Sequence, residues 1–95
     1  MKSNMSDSVF KTYAITVRPQ DGISDLQCQK TMAFIRKHAV YYHVITEKTG
    51  SQRHLHAGFF LNKARTKCNM ATMILNLFSD LSSTEKSVLR KGIKI

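Results

Sequence analysis

Two neighbouring segments of the chain decide its fold: VYYHVITE, from Val40 to Glu47, and HLHAGFFL, from His54 to Leu61. The first segment is rich in β-branched and aromatic residues, and a polar turn that contains Gly50 separates the two, which predicts a β-hairpin. Side chains in a strand alternate between its two faces. One face of the second strand is therefore wholly apolar and is predicted to pack on helices. Its two histidines lie on the opposite, open face.

Two further strands are predicted by composition and periodicity. Residues 11–18, KTYAITVR, form a strand that places Tyr13, Ile15 and Val17 on its packed face. Residues 92–95, Gly-Ile-Lys-Ile, predict the beginning of a last strand.

Two helices complete the pattern. The first is predicted over residues 25–38, because Ser24 and Gln27 have the spacing of a capping box. The second, over residues 69–81, has apolar residues at i, i+3, i+4, i+7, i+8 and i+11, which form one wide stripe. Residues 82–85 predict a short turn or helix. The order strand, helix, strand, strand, helix, strand predicts an α+β sandwich of the ferredoxin-like or split βαβ type, with two helices on one sheet face.

The composition predicts one small globular domain. The chain has 95 residues, 42% of them hydrophobic, and we expect a domain over residues 9–95 after a polar tail at residues 1–8. No apolar run approaches the length of a membrane span, and the tail lacks the apolar middle of a secretory signal. Cys28 and Cys68 match no metal-ligand spacing and are interpreted as buried free thiols of an intracellular protein.

The net charge indicates the class of partner. Fifteen Lys and Arg residues against six Asp and Glu residues give a net charge of +9. A domain this basic usually meets a polyanion such as nucleic acid. Because the basic residues are spread along the chain, they fit a surface that follows a phosphate backbone.

Glu47, His54 and His56 are the candidate metal ligands. The two histidines share one strand face, and hairpin pairing brings Glu47 beside them. One carboxylate and two neutral imidazoles without a thiolate suit Mn²⁺ or Mg²⁺, and they would also accept Zn²⁺, Co²⁺ or Ni²⁺ in vitro. The alternative is that the histidines are simply polar surface residues. Gly58 favours the metal site, because its missing side chain lets a backbone approach the same face.

The segment from His54 to Leu61 resembles motif II, His-hydrophobic-His, of the HUH endonucleases. It looks most like the Rep initiators of rolling-circle replication in small circular single-stranded DNA viruses. Residues 13–20, YAITVRPQ, are similar to motif I of those proteins, an apolar strand that ends in a Thr-x-x-Pro-Gln-like turn. Glu47 stands where they carry the acidic third ligand. The resemblance spans about residues 9–95 and implies the ferredoxin-like fold that the periodicity also predicts.

The resemblance implies a sequence-specific DNA nicking endonuclease with nucleotidyltransferase chemistry. In this family the metal polarises the scissile phosphate of single-stranded or stem-loop origin DNA, and a tyrosine hydroxyl attacks it. The enzyme is left joined to the 5′-phosphate, and the free 3′-OH primes synthesis. We also expect a monomeric isolated domain without a membrane partner, acting in the host nucleus if the parent is a viral Rep of a eukaryote.

The chain departs from the family at the nucleophile. The tyrosine of the family lies in a Tyr-x-x-Lys motif on a helix after the last strand, and we expect that helix beyond Ile95. Tyr13, Tyr41 and Tyr42 are each interpreted as packing residues. At roughly 3.3 Å per residue, Tyr41 is about 20 Å from Glu47 along its strand. The sequence thus predicts a catalytic domain that keeps its metal and DNA surfaces and lacks its nucleophile.

The candidate DNA contacts are polar and basic residues at the end of the first strand, in the hairpin turn and at the end of the third strand. They are Thr16, Arg18, Gln20, Lys48, Arg53, Lys63, Arg65 and Lys67. Phe60 lies on the face opposite Phe59 and is a candidate platform on which a base stacks.

Two other functions fit parts of the pattern. A non-enzymatic single-stranded nucleic-acid-binding module of RRM-like fold has the same arrangement of strands and helices, but it stacks bases on aromatic residues where this third strand has His, His and Gly. A non-haem iron oxygenase also uses two histidines and a carboxylate. That chemistry needs an enclosed pocket for a small substrate, for which an open sheet offers little room.

Overall fold

Seven elements form the domain, in a computed structural model that describes residues 8–50 and 52–95. They are β1 (Val9–Val17), α1 (Asp25–His38), β2 (Ala39–Thr49), β3 (Gln52–Thr66), α2 (Lys67–Asn76), α3 (Ser83–Lys91) and β4 (Ile93–Lys94). The four strands make one antiparallel sheet in the order β2-β3-β1-β4. The predicted α+β, ferredoxin-like architecture is therefore confirmed. The predicted tail lies outside the described residues except for Ser8. The prediction that both cysteines are buried is wrong, since Cys28 is half-buried and Cys68 at the start of α2 is exposed.

The hydrophobic core lies on one face of this sheet. Tyr13, Ile15 and Val17 of β1 are each 1% exposed, as the alternation in the first strand predicts. The apolar face of β3 is buried as well, and so are residues of all three helices, from Phe34 in α1 to Leu89 in α3. No helix in the described part of the chain is long and apolar enough to cross a membrane.

The predicted bounds of the second helix, residues 69–81, are wrong. The structure has α2 over Lys67–Asn76 and a separate α3 over Ser83–Lys91. After α2 the chain turns through i→i+3 bonds, from Phe78 N–H to the Leu75 carbonyl and from Leu81 N–H to the Phe78 carbonyl. Phe78 is fully buried in this turn, so the apolar periodicity continues although the helix has ended. The apolar periodicity therefore predicts that Phe78 is buried, but it does not predict the residue at which the helix ends.

Capping residues determine where two of the helices begin. Ser24 accepts a hydrogen bond from Gln27 N–H while the Gln27 side chain accepts from Ser24 N–H, which is the predicted capping box of α1. Ser82 and Glu85 form the same reciprocal pair at the start of α3. The Glu85 carboxylate also accepts from Gln20 N–H at 3.0 Å, which ties the turn after β1 to α3. Hydrogen bonds from Gln20 N–H, and next from the backbone and the hydroxyl of Ser82, hold the pKa of the Glu85 carboxyl below its usual value.

Gly92 lets β4 approach β1 closely. Its carbonyl accepts a hydrogen bond from Thr16 N–H at 3.0 Å. A Cβ at this position would lie 2.6 Å from the Thr16 carbonyl oxygen, a backbone atom with little freedom to move. The glycine is needed for space rather than for its backbone angles, since its φ is −82°.

We expect Gly92→Ala to lower the free energy of unfolding by about 1–3 kcal/mol, the usual cost of forcing an extra methyl group into a packed site. Urea denaturation followed by circular dichroism measures the change. Ser87→Ala, at an exposed position of α3, is the matched control and should leave stability within about 0.5 kcal/mol of the parent. Equal stability of both variants and the parent would contradict the close approach of β4.

Candidate metal centre

The pairing of the central strands brings the three candidate ligands together. Glu47 of β2 lies directly opposite His54 of β3, and Ile45 lies opposite His56. Residues directly opposite each other in an antiparallel pair point to the same face. Glu47, His54 and His56 therefore meet on the face of the sheet that carries no helices, as the sequence predicts.

Both imidazoles point at one oxygen of the carboxylate. The distance from His54 Nε2 to Glu47 Oε1 is 2.9 Å, and that from His56 Nε2 to the same oxygen is 2.8 Å. The two rings stand edge to face with their centroids 5.0 Å apart. The three ligand atoms lie within 4.8 Å of one another. Two imidazole nitrogens and a carboxylate oxygen at this separation fit a divalent cation, because all three can turn their lone pairs toward one point.

His54 is buried, which the sequence does not predict. Its exposure is 3%, whereas the side chain of His56 is 32% exposed and that of Glu47 is 54% exposed. The alternation in β3 assigns His54 to the open face, and the register keeps it there. The Glu47 carboxylate and the edge-on ring of His56 lie against it on that face. An open sheet face therefore still contains a buried ligand, for which a hydrogen-bond or metal partner is needed.

Thr16 supports His56 from the other side. Its hydroxyl oxygen lies 3.3 Å from His56 Nδ1, across the pairing of β1 with β3 that sets Thr16 opposite His56. When Nδ1–H donates to this hydroxyl, Nε2 keeps a free lone pair, which is the tautomer that a metal needs. Thr16 was predicted as a DNA contact, and its role beside the histidine was missed. The sequence already places Thr16 on the open face of the first strand, which is the feature that could have indicated a contact with His56.

The histidines also affect the charge of the carboxylate. Hydrogen bonding to His54, and next to His56, holds the pKa of Glu47 below its usual value. The group is therefore ionised at neutral pH and ready to act as a ligand without first losing a proton.

Arg53 has a structural partner at the position where a DNA contact was predicted. Its guanidinium donates twice to the Ile23 carbonyl, at 2.9 and 3.1 Å, and once to Asp25 at 2.8 Å. The Ile23 N–H in turn donates to the Arg53 carbonyl. These bonds fix the segment before α1 against the first residues of β3, next to His54.

The other predicted DNA contacts are divided between two ends of the sheet. Arg18, Gln20 and Lys48 are exposed near the metal centre, since they follow or adjoin the strand ends that carry it. Three others lie at the far end of β3: Lys63, Arg65 and Lys67. Arg65 donates a hydrogen bond to the Asn69 side chain at 3.0 Å. Its Nε is buried and has no hydrogen-bond partner among the described residues. The structure therefore does not gather all eight residues around the metal centre.

The interpretation of two tyrosines as packing residues is wrong. Tyr41 is 74% exposed and Tyr42 is 46% exposed, because β2 is an edge strand and no helix covers the open face. Tyr41 pairs with Phe60, which is 41% exposed and has the Lys11 ammonium 6.0 Å from its ring centroid. Tyr13 is packing as predicted, and its hydroxyl donates to the Arg65 carbonyl at 2.7 Å.

The exposed aromatic residues border a shallow groove on the open face, formed by the middle of β1 and the neighbouring parts of β2 and β3. His43 lies across Gly58, where a Cβ would come within 2.9 Å of the His43 ring. The groove has a volume of about 440 Å³ and includes Tyr41 and Phe60 in its walls. The close approach predicted for Gly58 is thus made by a side chain, that of His43, rather than by a backbone.

No protein-family model and no curated protein matches this chain. What is inferred about the chemistry of the site therefore comes from its own residues and their geometry. A carboxylate and two imidazoles on an open, partly aromatic surface can hold a cation where an extended ligand has access to it.

We expect Glu47→Ala to destabilise the metal-free protein, because His54 and His56 would both lose the carboxylate oxygen to which they are hydrogen-bonded. Urea denaturation at neutral pH in the presence of a chelator measures this. Lys48→Ala, the exposed neighbour on the same strand, should change stability by less than about 0.5 kcal/mol. A loss as small for Glu47→Ala as for the control would mean that His54 does not depend on the carboxylate.

Proposed function

We propose that this chain is a metal-dependent domain that binds single-stranded DNA and positions one phosphate for nicking. The observation that carries the proposal is the convergence of Glu47, His54 and His56 on the open face of a sheet, in a chain with a net charge of +9. An open face admits an extended polymer, and the charge favours a polyanion. The likeness of the motifs to HUH endonucleases supports the same assignment.

Mn²⁺ or Mg²⁺ is the proposed cofactor, held by Glu47, His54 and His56. When bound, such an ion polarises a phosphoryl oxygen and stabilises the charge that develops on it. The protein fixes the three ligands in advance through the β2–β3 register, the buried position of His54 and the hydroxyl of Thr16 beside His56. This preorganisation means that little ordering is left for the moment of binding.

The groove beside the metal centre is the proposed path for the DNA strand. Tyr41 and Phe60 provide exposed aromatic faces on which bases can stack. Lys11 lies against Phe60, and Lys94 pairs with Ala14 on the same face, so cations are available to the backbone of the strand. His43 fills the space over Gly58 between these rings and the metal centre.

None of the three tyrosines is assigned as the nucleophile. Tyr13 is buried with its hydroxyl bonded to a carbonyl, and Tyr41 and Tyr42 lie five or more residues from Glu47 on the same strand. We therefore propose that this chain holds and orients the DNA, and that a hydroxyl from outside the described residues supplies the attack.

We expect Mn²⁺ to bind with one-to-one stoichiometry in a calorimetric titration and His54→Ala and His56→Ala to abolish this binding. Affinity should be weaker at pH 5.5 than at pH 7.5, because protons compete with the cation for the imidazole nitrogens. His43→Ala is the matched control, since it removes a histidine from the same face that is not among the three ligands. Mn²⁺ binding of equal strength in all three variants and the parent would be non-specific and would remove the basis of the proposal.

Binding of DNA at the metal centre can be tested by affinity cleavage. Fe²⁺ replaces the native ion on the same ligands, and ascorbate with peroxide then generates radicals that cut DNA near the metal. We expect a labelled single-stranded or stem-loop DNA to be cut over a few nucleotides by the parent and by His38→Ala, which removes a histidine at the end of α1, and not by His56→Ala. Uniform cutting along the DNA, or cutting that persists in His56→Ala, would mean that the DNA does not bind next to the metal centre.

The exposed aromatic pair favours one competing function, a metal-independent module that binds single-stranded nucleic acid. Stacking on Tyr41 and Phe60 requires no cation. Fluorescence anisotropy with single-stranded RNA and DNA distinguishes the two functions. Tighter binding to RNA than to DNA, with an affinity that neither Mn²⁺ nor His56→Ala changes, would favour the metal-independent module. A higher affinity for DNA in the presence of Mn²⁺ would favour the nicking domain.

A further inference from the structure

His43 is an exposed histidine on the same sheet face as the metal centre, and it is not one of the three ligands. It lies opposite Gly58, which is two residues from His56 along β3, or about 7 Å at roughly 3.3 Å per residue. Its imidazole makes no hydrogen bond within the described part of the chain, whereas those of His54 and His56 both contact Glu47. One nitrogen that donates and one that accepts are therefore available on this ring to a ligand.

Gly58 provides the space in which the His43 ring lies. A Cβ on Gly58 would be 2.9 Å from His43 Cε1 and 3.4 Å from its Nδ1, so a larger residue there would move the ring. The side chain of His43 therefore extends from the edge strand β2 across β3, toward the middle of the open face. On the next strand Ala14 pairs with Gly58 and is exposed, so a planar ligand has access to the ring from that side.

An aromatic platform lies beside the His43 ring. Tyr41 and Phe60 pair directly opposite each other, and both are exposed. Phe60 is two residues from Gly58, so a base that lies over its ring has to extend about 7 Å along the face to meet His43. The two fused rings of a purine extend further than the single ring of a pyrimidine, and only a purine has the acceptor N7. The spacing therefore favours a purine.

We propose that His43 is a specificity-determining residue, which donates a hydrogen bond to N7 of a purine in the bound DNA strand, next to the phosphate at the metal centre. This inference rests on the proposed function, because it requires the strand to cross the open face. The purine subsite consists of Tyr41, His43, Gly58 and Phe60, which all belong to β2 and β3. A purine stacked on the aromatic pair and bonded to His43 would be preferred to a pyrimidine at the same position.

An imidazole can contact a base by stacking or by hydrogen bonding, and only the hydrogen bond depends on N7. His43→Phe keeps a planar ring at this position but removes the N–H. A strand built from 7-deazaadenine keeps the size and the aromatic faces of the base but has a carbon in place of N7. The variant and the modified strand used together therefore isolate the single hydrogen bond.

The test measures the affinity of the full chain for two fluorescein-labelled strands of twelve nucleotides, by anisotropy with saturating Mn²⁺. One strand is oligodeoxyadenylate, and the other has 7-deazaadenine at every position. The modified strand should bind the parent about fivefold more weakly, which corresponds to the loss of one hydrogen bond. It should bind His43→Ala and His43→Phe as tightly as the unmodified strand does. His38→Ala, which removes a histidine at the end of α1, is the matched control and should behave like the parent.

The same assay separates this inference from the proposed function. Equal affinity of the parent for the two strands, or the same difference between them in both His43 variants, would overturn the purine contact while Mn²⁺ still strengthens DNA binding. An affinity that neither Mn²⁺ nor His56→Ala changes would contradict the proposed function, and with it the placement of the purine beside the metal centre. If the parent binds neither strand, both fail.

Discussion

The register of β2 against β3 is the constraint on which the rest of the site depends. It sets Glu47 opposite His54 and, through the same alternation, leaves the apolar residues of β3 on the core face. A shift of one residue would move every side chain of β3 to the wrong face. The metal centre and the hydrophobic core are therefore maintained by the same pairing, and neither can change register without the other.

The site is organised around a single carboxylate oxygen. Two imidazole nitrogens lie within hydrogen-bond distance of Glu47 Oε1, although one ring is buried and the other is partly exposed. A buried imidazole needs a partner, and the ionised carboxylate provides one in the absence of a cation. The same three atoms lie within 4.8 Å of one another, which is close enough for one cation to contact all three.

The domain carries two grooves. The one on the helix-free face is shallow and is bordered by the exposed rings of Tyr41 and Phe60. The other has Phe10 and Ala71 in its floor, with Lys67, Arg90 and Lys91 around it. Ile95 lines both grooves, so they are neighbours rather than independent surfaces.

The sequence by itself determined the order of the strands, the core face of each central strand, the start of α1 and the meeting of Glu47, His54 and His56 on one face. Those features follow from local alternation, capping and turn residues, which act within a few positions along the chain. The tertiary structure alone decided the burial of His54, the support of His56 by Thr16, the use of Arg53 to hold Ile23 and the exposure of Tyr41 and Tyr42. It also ended α2 at Asn76, although the apolar pattern continues to Leu81. Each of these depends on which segments distant in sequence lie against each other, and on which strand is left at the edge, so the spacing of residues cannot reveal it.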